Sequence, residues 1–510
     1  RNSRGTWLLL MALFALVLAA CSPAGGGDLV GEETAAEAEA AAEDEPTDPA
    51  GHAETDQDGA DHEATAASDD DSAAVEDAAS RAEEPPGGDD SAGNEDTDIS
   101  SADEDAETAE GEPESENSAA DNETVADTVN DADDNAAAEE PGSSDEDSES
   151  AEIVILTEDD RNERQRLISE RWTTDWNRHT VPYGELLALL PVRDGIPALD
   201  DPKYISPEEA AAWLAGVEPV IAFEQNGDAR AYPLQIMTYH EIVNDMVGDL
   251  PVTVTFCPLC NSAIVFDRRL GGEVYDFGTS GWLRRSDLVM YDRQTESLWQ
   301  QFTGEGIVGE LAGEQLTFLP SSIVSFDDFR EAFPDGLILS RETGHQRPYG
   351  QNPYPGYDRI GENPFAFLDV PDGRLAAMER VITVSLDDVD VAYPLTTLFE
   401  AGVIHDNQAG QDLVIFHEGG TASALDMPII QMGADVGATG VFDPNLNGEK
   451  LTFLKDDDTI KDEQTGSKWN ILGQATDGPL AGDALAPLVH GDHFWFAWAA
   501  FQPETIIFGS

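Results

Sequence analysis

The sequence predicts a mainly β protein, a β-rich α+β fold, whose folded part is two similar halves packed as a pseudo-symmetric pair. Three observations carry this. Core-forming material is confined to residues 151–510: eight of the nine Trp lie there, and 22–150 hold no Phe, Tyr or Trp. From residue 219 onward, short runs rich in Val, Ile, Thr, Phe and Tyr are bounded by Gly, Asn, Asp and Pro, the pattern of strands and turns. These runs also recur in order at nearly constant spacing.

The chain opens with an address. Arg1 and Arg4 precede an apolar run, 7–20, that ends in Leu18-Ala19-Ala20-Cys21. A basic start, an apolar segment and small residues before a cut describe a signal peptide over 1–20. The run is too short to cross about 30 Å of hydrocarbon as a mature helix. Cys21 behind Leu-Ala-Ala resembles the lipobox of bacterial lipoproteins, in which that Cys receives the lipid. The resemblance implies a membrane partner reached through the lipid anchor, on the extracytoplasmic face of the cell envelope.

Residues 22–150 carry 46 Asp plus Glu against one basic residue, Arg81. With so little apolar surface to bury, 21–150 reads as a disordered, self-repelling tether. A spacer is the plain reading and a cation- or partner-binding arm the alternative. The remaining 360 residues are also acidic, with 58 acids against 23 bases, the balance of a salt-adapted surface. A chain this acidic repels phosphate backbones, which excludes nucleic acid as a partner.

Helix signals come first in the folded part. Thr157 before Glu158, Asp159 and Asp160 marks one start, with Leu167, Ile168 and Trp172 as its apolar stripe. Ser206-Pro207-Glu208-Glu209 marks a second. Residues 151–218 therefore read as a helical lead-in. The first β-rich half spans 219–360. Runs 220–223 and 229–233 flank Asn226-Gly227, a hairpin signal. Runs 251–256, 263–268, 273–277 and 288–291 continue as strands. The second, divergent half spans 361–510. Val220-Ile221 through Leu234 returns 161 residues later as Val381-Ile382 through Leu395, and Val254-Thr255-Phe256 returns after 160 as Val414-Ile415-Phe416. Asp292-Arg293-Gln294-Thr295-Glu296-Ser297-Leu298-Trp299 returns after 170 as Asp462-Glu463-Gln464-Thr465-Gly466-Ser467-Lys468-Trp469. The apolar stretch 494–501 reads as the second half's own core.

Chemistry concentrates at Phe256-Cys257-Pro258-Leu259-Cys260-Asn261-Ser262. With Cys21 assigned to lipid, these are the two remaining Cys, and they sit on a turn between strands. Such a pair can be a disulfide, a reactive dithiol or two metal ligands. One C-x-x-C supplies only half of a four-coordinate site. The further donors would be His240, His345 or His417, the last because the repeat sets it where Cys257 stands. Sulfur with imidazole suits copper or zinc. A thioredoxin-type centre fits less well, since that motif opens a helix. Two other clusters could bind a ligand: the paired Arg284 and Arg285 in a Gly-rich stretch, as an anion clamp or as internal ion pairs, and the loop carrying Arg347, Tyr349, Tyr354 and Tyr357, as a binding surface or a sheet cover. No Gly-x-Ser-x-Gly, His-Glu-x-x-His, Walker or dinucleotide fingerprint is present.

The stretches Asp194-Gly195-Ile196-Pro197, Ala231-Tyr232-Pro233-Leu234, His240-Glu241-Ile242-Val243-Asn244-Asp245, the cysteine turn, Met290-Tyr291-Asp292-Arg293 and 349–358 together resemble the bacterial and archaeal domain of unknown function 3179. The resemblance covers roughly 180–360. It implies a set of characteristic residues (His240, Glu241, Asn244, Asp245, Cys257, Cys260, Arg284, Arg285 and Arg293) and no reaction. The second half lacks both cysteines, so a site is single or shared. The expected function is a Cys/His site for a transition metal or for thiol redox chemistry; the alternative is a non-catalytic surface ligand-binding module in which Cys257 and Cys260 are structural.

Overall fold

The computed structural model describes residues 154–155, 172–190 and 192–510. Cys21, the 1–20 leader, the 21–150 tether and the helix start at Thr157 lie outside the described residues. Asn226 and Gly227 both take positive φ, 53° and 83°. That is the geometry of a two-residue hairpin turn, and it joins β1 (Pro219–Gln225) to β2 (Asp228–Pro233). Helix α1 (Leu234–His240) follows, and then the meander β3 (Ile242–Val247), β4 (Leu250–Cys257) and β5 (Ser262–Asp267). A second meander runs β6 (Phe277–Arg284), β7 (Asp287–Asp292), β8 (Leu298–Gln300) and β9 (Gly306–Val308). The half ends with β10 (Thr317–Leu319), β11 (Ser322–Ser325), α2 (Phe326–Ala332) and β12 (Leu337–Leu339).

The second half runs through the same order. It has the hairpin β13 (Arg380–Leu386) and β14 (Val389–Pro394), then α3 (Leu395–Ala401), then β15 (Val403–Gln408), β16 (Gln411–Glu418) and β17 (Ala438–Asp443). Next come β18 (Phe453–Asp456), β19 (Thr459–Asp462), β20 (Lys468–Trp469) and β21 (Ala475–Asp477). It closes with β22 (Ala486–Pro487), β23 (Gly491–Phe494), α4 (Trp495–Phe501) and β24 (Ile506–Ile507). Sheet order β11-β1-β2-β12 in one half is matched by β23-β13-β14-β24 in the other, and β10-β5-β4-β3 by β22-β17-β16-β15. The last pair of the first sheet is parallel in both halves.

The Asp-x-x-Thr-x-Ser-x-Trp repeat has a physical role in each half. Asp292 accepts from the Thr295 amide at 2.6 Å and from the Trp299 indole at 3.0 Å. Asp462 accepts from the Thr465 amide at 2.6 Å and from the Trp469 indole at 3.0 Å. A buried carboxylate needs such partners, so the motif is a structural turn between strands.

The halves share their cores. One core unites Phe256, Cys257 and Cys260 with Phe494, Trp495 and Phe496 of the second half. Another unites Phe326 and Phe329 of α2 with Phe416 and Phe442. Strand β23 packs on β5, and β11 packs on β17, so corresponding elements are exchanged. The stretch 494–501 therefore does not serve the second half alone, as its sequence position implied: it packs with Val381, Ala392 and Ile507 of its own half and with the cysteine-bearing core of the first.

The described part of 151–218 also differs from the helical expectation. Strands Arg178–His179 and Leu186–Ala188 extend the sheet of β6–β9, and the α-helix there is the single turn Pro207–Ala210, capped by Ser206 and Glu209. Aromatic burial decides this. Trp172 and Trp176 lie 5.5 and 5.6 Å from Trp282, and that anchorage holds the segment against the sheet. No helix among the described residues is long and apolar enough to cross a membrane.

Candidate functional site

The strand pair β4–β5 turns at Pro258-Leu259-Cys260-Asn261. The Cys260 amide bonds the Cys257 carbonyl at 3.2 Å, and Asn261 closes the turn at φ 52°. Both sulfurs are buried and unlinked. The turn is clamped by the other half, since the Phe494 amide donates to the Cys260 carbonyl at 3.0 Å and the Asn261 side chain donates to the Asp492 carbonyl at 3.1 Å.

The third member of the cluster is Asp287. Ligand atoms of Cys257, Cys260 and Asp287 all lie within 4.8 Å of one another, and all three residues are buried. Asp287 opens β7 directly after Arg285 and Ser286, which take φ 53° and 72°. Two successive non-Gly residues in the left-handed region are a strained turn, of the kind that clusters at working sites. Their surroundings hold them there. Ser286 Oγ donates to the Phe365 carbonyl, and an Arg285 guanidinium N–H donates to the Ala500 carbonyl. Oδ2 of Asp287 accepts from Gln300 Nε2 at 2.6 Å and from the Phe302 amide at 2.9 Å. Oδ1 is buried without a hydrogen-bond partner.

A second buried carboxyl stands close. Glu241 ends α1 with φ 59°, is 8% exposed, and shares a cavity wall with Cys257 and Tyr354. Burial lifts its carboxyl to about 8, with the Asp287 charge adding to the rise. Burial lifts Asp287 to about 7 against the pull of its Gln300 and Phe302 donors. Burial likewise pushes both thiols up, Cys260 the further. Four acidic groups thus share one dry site whose own side chains offset little of their charge.

The histidines expected to complete the site stand elsewhere, and no histidine belongs to the cluster. His240 Nδ1 is bonded to the Pro197 carbonyl at 2.7 Å and Nε2 to the Tyr349 hydroxyl at 2.6 Å, so both ring nitrogens are taken. His345 is exposed on the far side of that pair, 5.3 Å from the His240 ring. His417 does occupy the position equivalent to Cys257, but in its own sheet. Its Nδ1 meets Thr439 Oγ1 at 3.1 Å and its ring packs on Phe399. An equivalent position in a repeat is carried to the other half's site, not to the same one, and this is why the reading failed.

The ligand-binding candidates are largely spent inside the fold. Arg284 pairs with Glu185 at 2.7 Å, and Arg285 approaches Glu185 and Asp369 at 3.8 Å. Tyr357 donates to the Leu259 carbonyl at 3.1 Å and accepts from the Phe365 amide at 3.1 Å, so it locks the cysteine turn. Tyr354 is buried in the cavity wall. Tyr349 is half-buried against His240, and Arg347 is half-buried beside it in the loop. The Tyr-bearing loop is a cover for the cysteine turn. Sequence reasoning missed Asp287, whose one signal was an acid opening the apolar run Leu288-Val289-Met290.

A family model described as Protein of unknown function (DUF3179) matches residues 193–505. That span is more than half of the chain and reaches well past the roughly 180–360 over which the sequence resemblance was drawn. It takes in both halves and every member of the cluster. No curated protein and no solved structure matches.

Proposed function

The chain belongs to this family of unknown function, so its chemistry has to be read from its own side chains, and we propose that Cys257, Cys260 and Asp287 bind one transition-metal ion. One observation carries the proposal: two buried thiols and a buried carboxylate bring their ligand atoms within 4.8 Å of one another, and one oxygen of that carboxylate accepts no hydrogen bond from Gln300 or Phe302. Cys257 Sγ donates weakly to the Ser286 carbonyl at 3.9 Å, whereas a buried polar atom left unbonded, as Asp287 Oδ1 is, costs about 1–3 kcal/mol, and a cation there removes that cost. Two sulfurs and one oxygen suit zinc, a borderline ion that takes thiolate and carboxylate together. Copper(I), the competitor, selects sulfur donors and makes little use of Asp287.

Unassisted thiol chemistry is the weaker reading. Nucleophilic cysteines are held low in pKa by a cation, a helix start or a metal, whereas burial pushes both of these up. Bound metal reverses that, because it deprotonates the thiols it ligates. From the apolar leader ending in Leu18-Ala19-Ala20-Cys21, we also propose that the domain stands outside the cytoplasm, lipidated at Cys21 and spaced from the membrane by 21–150.

Thermal unfolding of the full chain tests the metal site. After chelation, added zinc raises the melting temperature of the wild type by mass action and leaves Cys257→Ser unmoved. A chain that takes no metal and has a purified mass two hydrogens lighter than the dithiol would assign the pair to a disulfide instead.

A further inference from the structure

The cluster supplies three donors, and tetrahedral zinc takes four; three protein ligands with an open fourth place distinguish a working site from a structural one. The surroundings of Cys257 decide which kind this is. Cys257 forms part of the wall of a cavity of about 30 Å³. The wall is mostly apolar, with Leu189, Leu190, Trp282 and Leu288 among its side chains. Thr279, also in the wall, spends its hydroxyl on the Ile196 carbonyl at 2.7 Å. Glu241 lines the same space.

We propose, resting on the metal reading above, that the ion's fourth position opens into this cavity and takes a small uncharged ligand that offers one lone pair to the metal and one hydrogen bond to Glu241. Size sets the first limit. The space is far below the roughly 300–1,000 Å³ of ordinary ligand sites, so only a molecule of a few heavy atoms fits. Charge sets the second. Two thiolates and one carboxylate outweigh a divalent ion, so an anion meets net repulsion. The apolar wall sets the third, since it leaves a polar ligand only those two places to bond.

Cobalt(II) replaces zinc and reports the site in its visible and thiolate charge-transfer bands. The full chain is loaded with cobalt and titrated with imidazole, a neutral probe, and in parallel with azide, an anionic one. The proposal expects the visible bands to shift saturably with imidazole and to stay unmoved with azide. Leu189 is half-buried in the cavity wall and is not one of the three donors. Leu189→Trp is expected to keep the charge-transfer band and lose the imidazole response. Leu189→Ala is expected to keep both and to gain a response to the bulkier 2-methylimidazole. If the charge-transfer band forms but imidazole leaves the visible bands unmoved, the position is closed and this proposal falls alone. An azide response without an imidazole response overturns the ligand class. An imidazole response that survives unchanged in Leu189→Trp overturns the assignment to this cavity. If no charge-transfer band forms at all, the metal reading falls, and this proposal with it.

Discussion

Replacing Asp292 by Ala tests whether the two halves are one cooperative unit. Asp292 is fully buried and accepts from the Thr295 amide, the Ser297 amide at 3.1 Å and the Trp299 indole at 3.0 Å. Ala strands these donors and the Thr295 hydroxyl, which also donates to the carboxylate at 2.9 Å. Deleting a hydrogen bond to a charged group costs about 1.5–3 kcal/mol, and partial rehydration of the turn brings the sum to about 4 kcal/mol. Asp292→Asn keeps one acceptor oxygen and is expected to lose about 2 kcal/mol. Asp462→Ala does the same in the second half, where Trp469 and Thr465 lose their acceptor. Because both main cores draw on both halves, each substitution should move one and the same urea transition, with an unchanged slope. Tryptophan fluorescence and far-UV circular dichroism would follow it. Two separated transitions, only one of which moves in each variant, would refute the shared-core account.

Two further outcomes follow from the same structure. His493 is buried between Phe302 and Trp498, and burial depresses its imidazole to about 3. The unfolded chain, titrating near 6.5, takes the proton first as pH falls, so this stability is present above about 6.5 and is lost on the way to about 3. At pH 5 the loss is about 2 kcal/mol, and denaturation at pH 7.5 and 5.0 should show His493→Met losing less than the wild type by about that amount; equal losses would refute it. A chain beginning at Glu152 should keep the melting temperature of the full chain, since it retains the pairing of Val154–Ile155 with Arg178–His179; a drop of several degrees would show that the preceding residues contribute to the fold.

Much of the architecture was legible because its signals are local. Asn226-Gly227 names its own turn, and the Asp292 and Asp462 motifs carry their own hydrogen bonds, so the β class and the recurring order could be read directly. The sharing of 494–501 between the two halves could not, because periodicity shows that a segment is apolar and not what it packs on. The described part of the lead-in departs from the helical reading for a related reason: Ser206 caps a helix of one turn, and Trp172 and Trp176 are buried against Trp282. At the site, the C-x-x-C turn stood out and its partner did not. Asp287 follows a hairpin turn made by Arg285 and Ser286, residues that announce no positive φ, and only the tertiary fold brings it to the sulfurs. The histidines drew attention as ligand types, yet His240 is fixed by Pro197 and Tyr349, and His417 belongs to the other half.

The measurement closest to the central claim is the metal content of the full chain purified anaerobically, without chelator or metal-affinity tag. The account predicts about one zinc per chain, the occupancy of a single site. It predicts near-complete loss of that zinc in Cys257→Ser, Cys260→Ser and Asp287→Ala, each still folded by circular dichroism, and full retention in His240→Ala, His345→Ala and His417→Ala. A wild-type chain that arrives metal-free and takes up neither zinc nor copper would contradict the account, as would zinc that stays when Asp287 is removed and leaves when a histidine is.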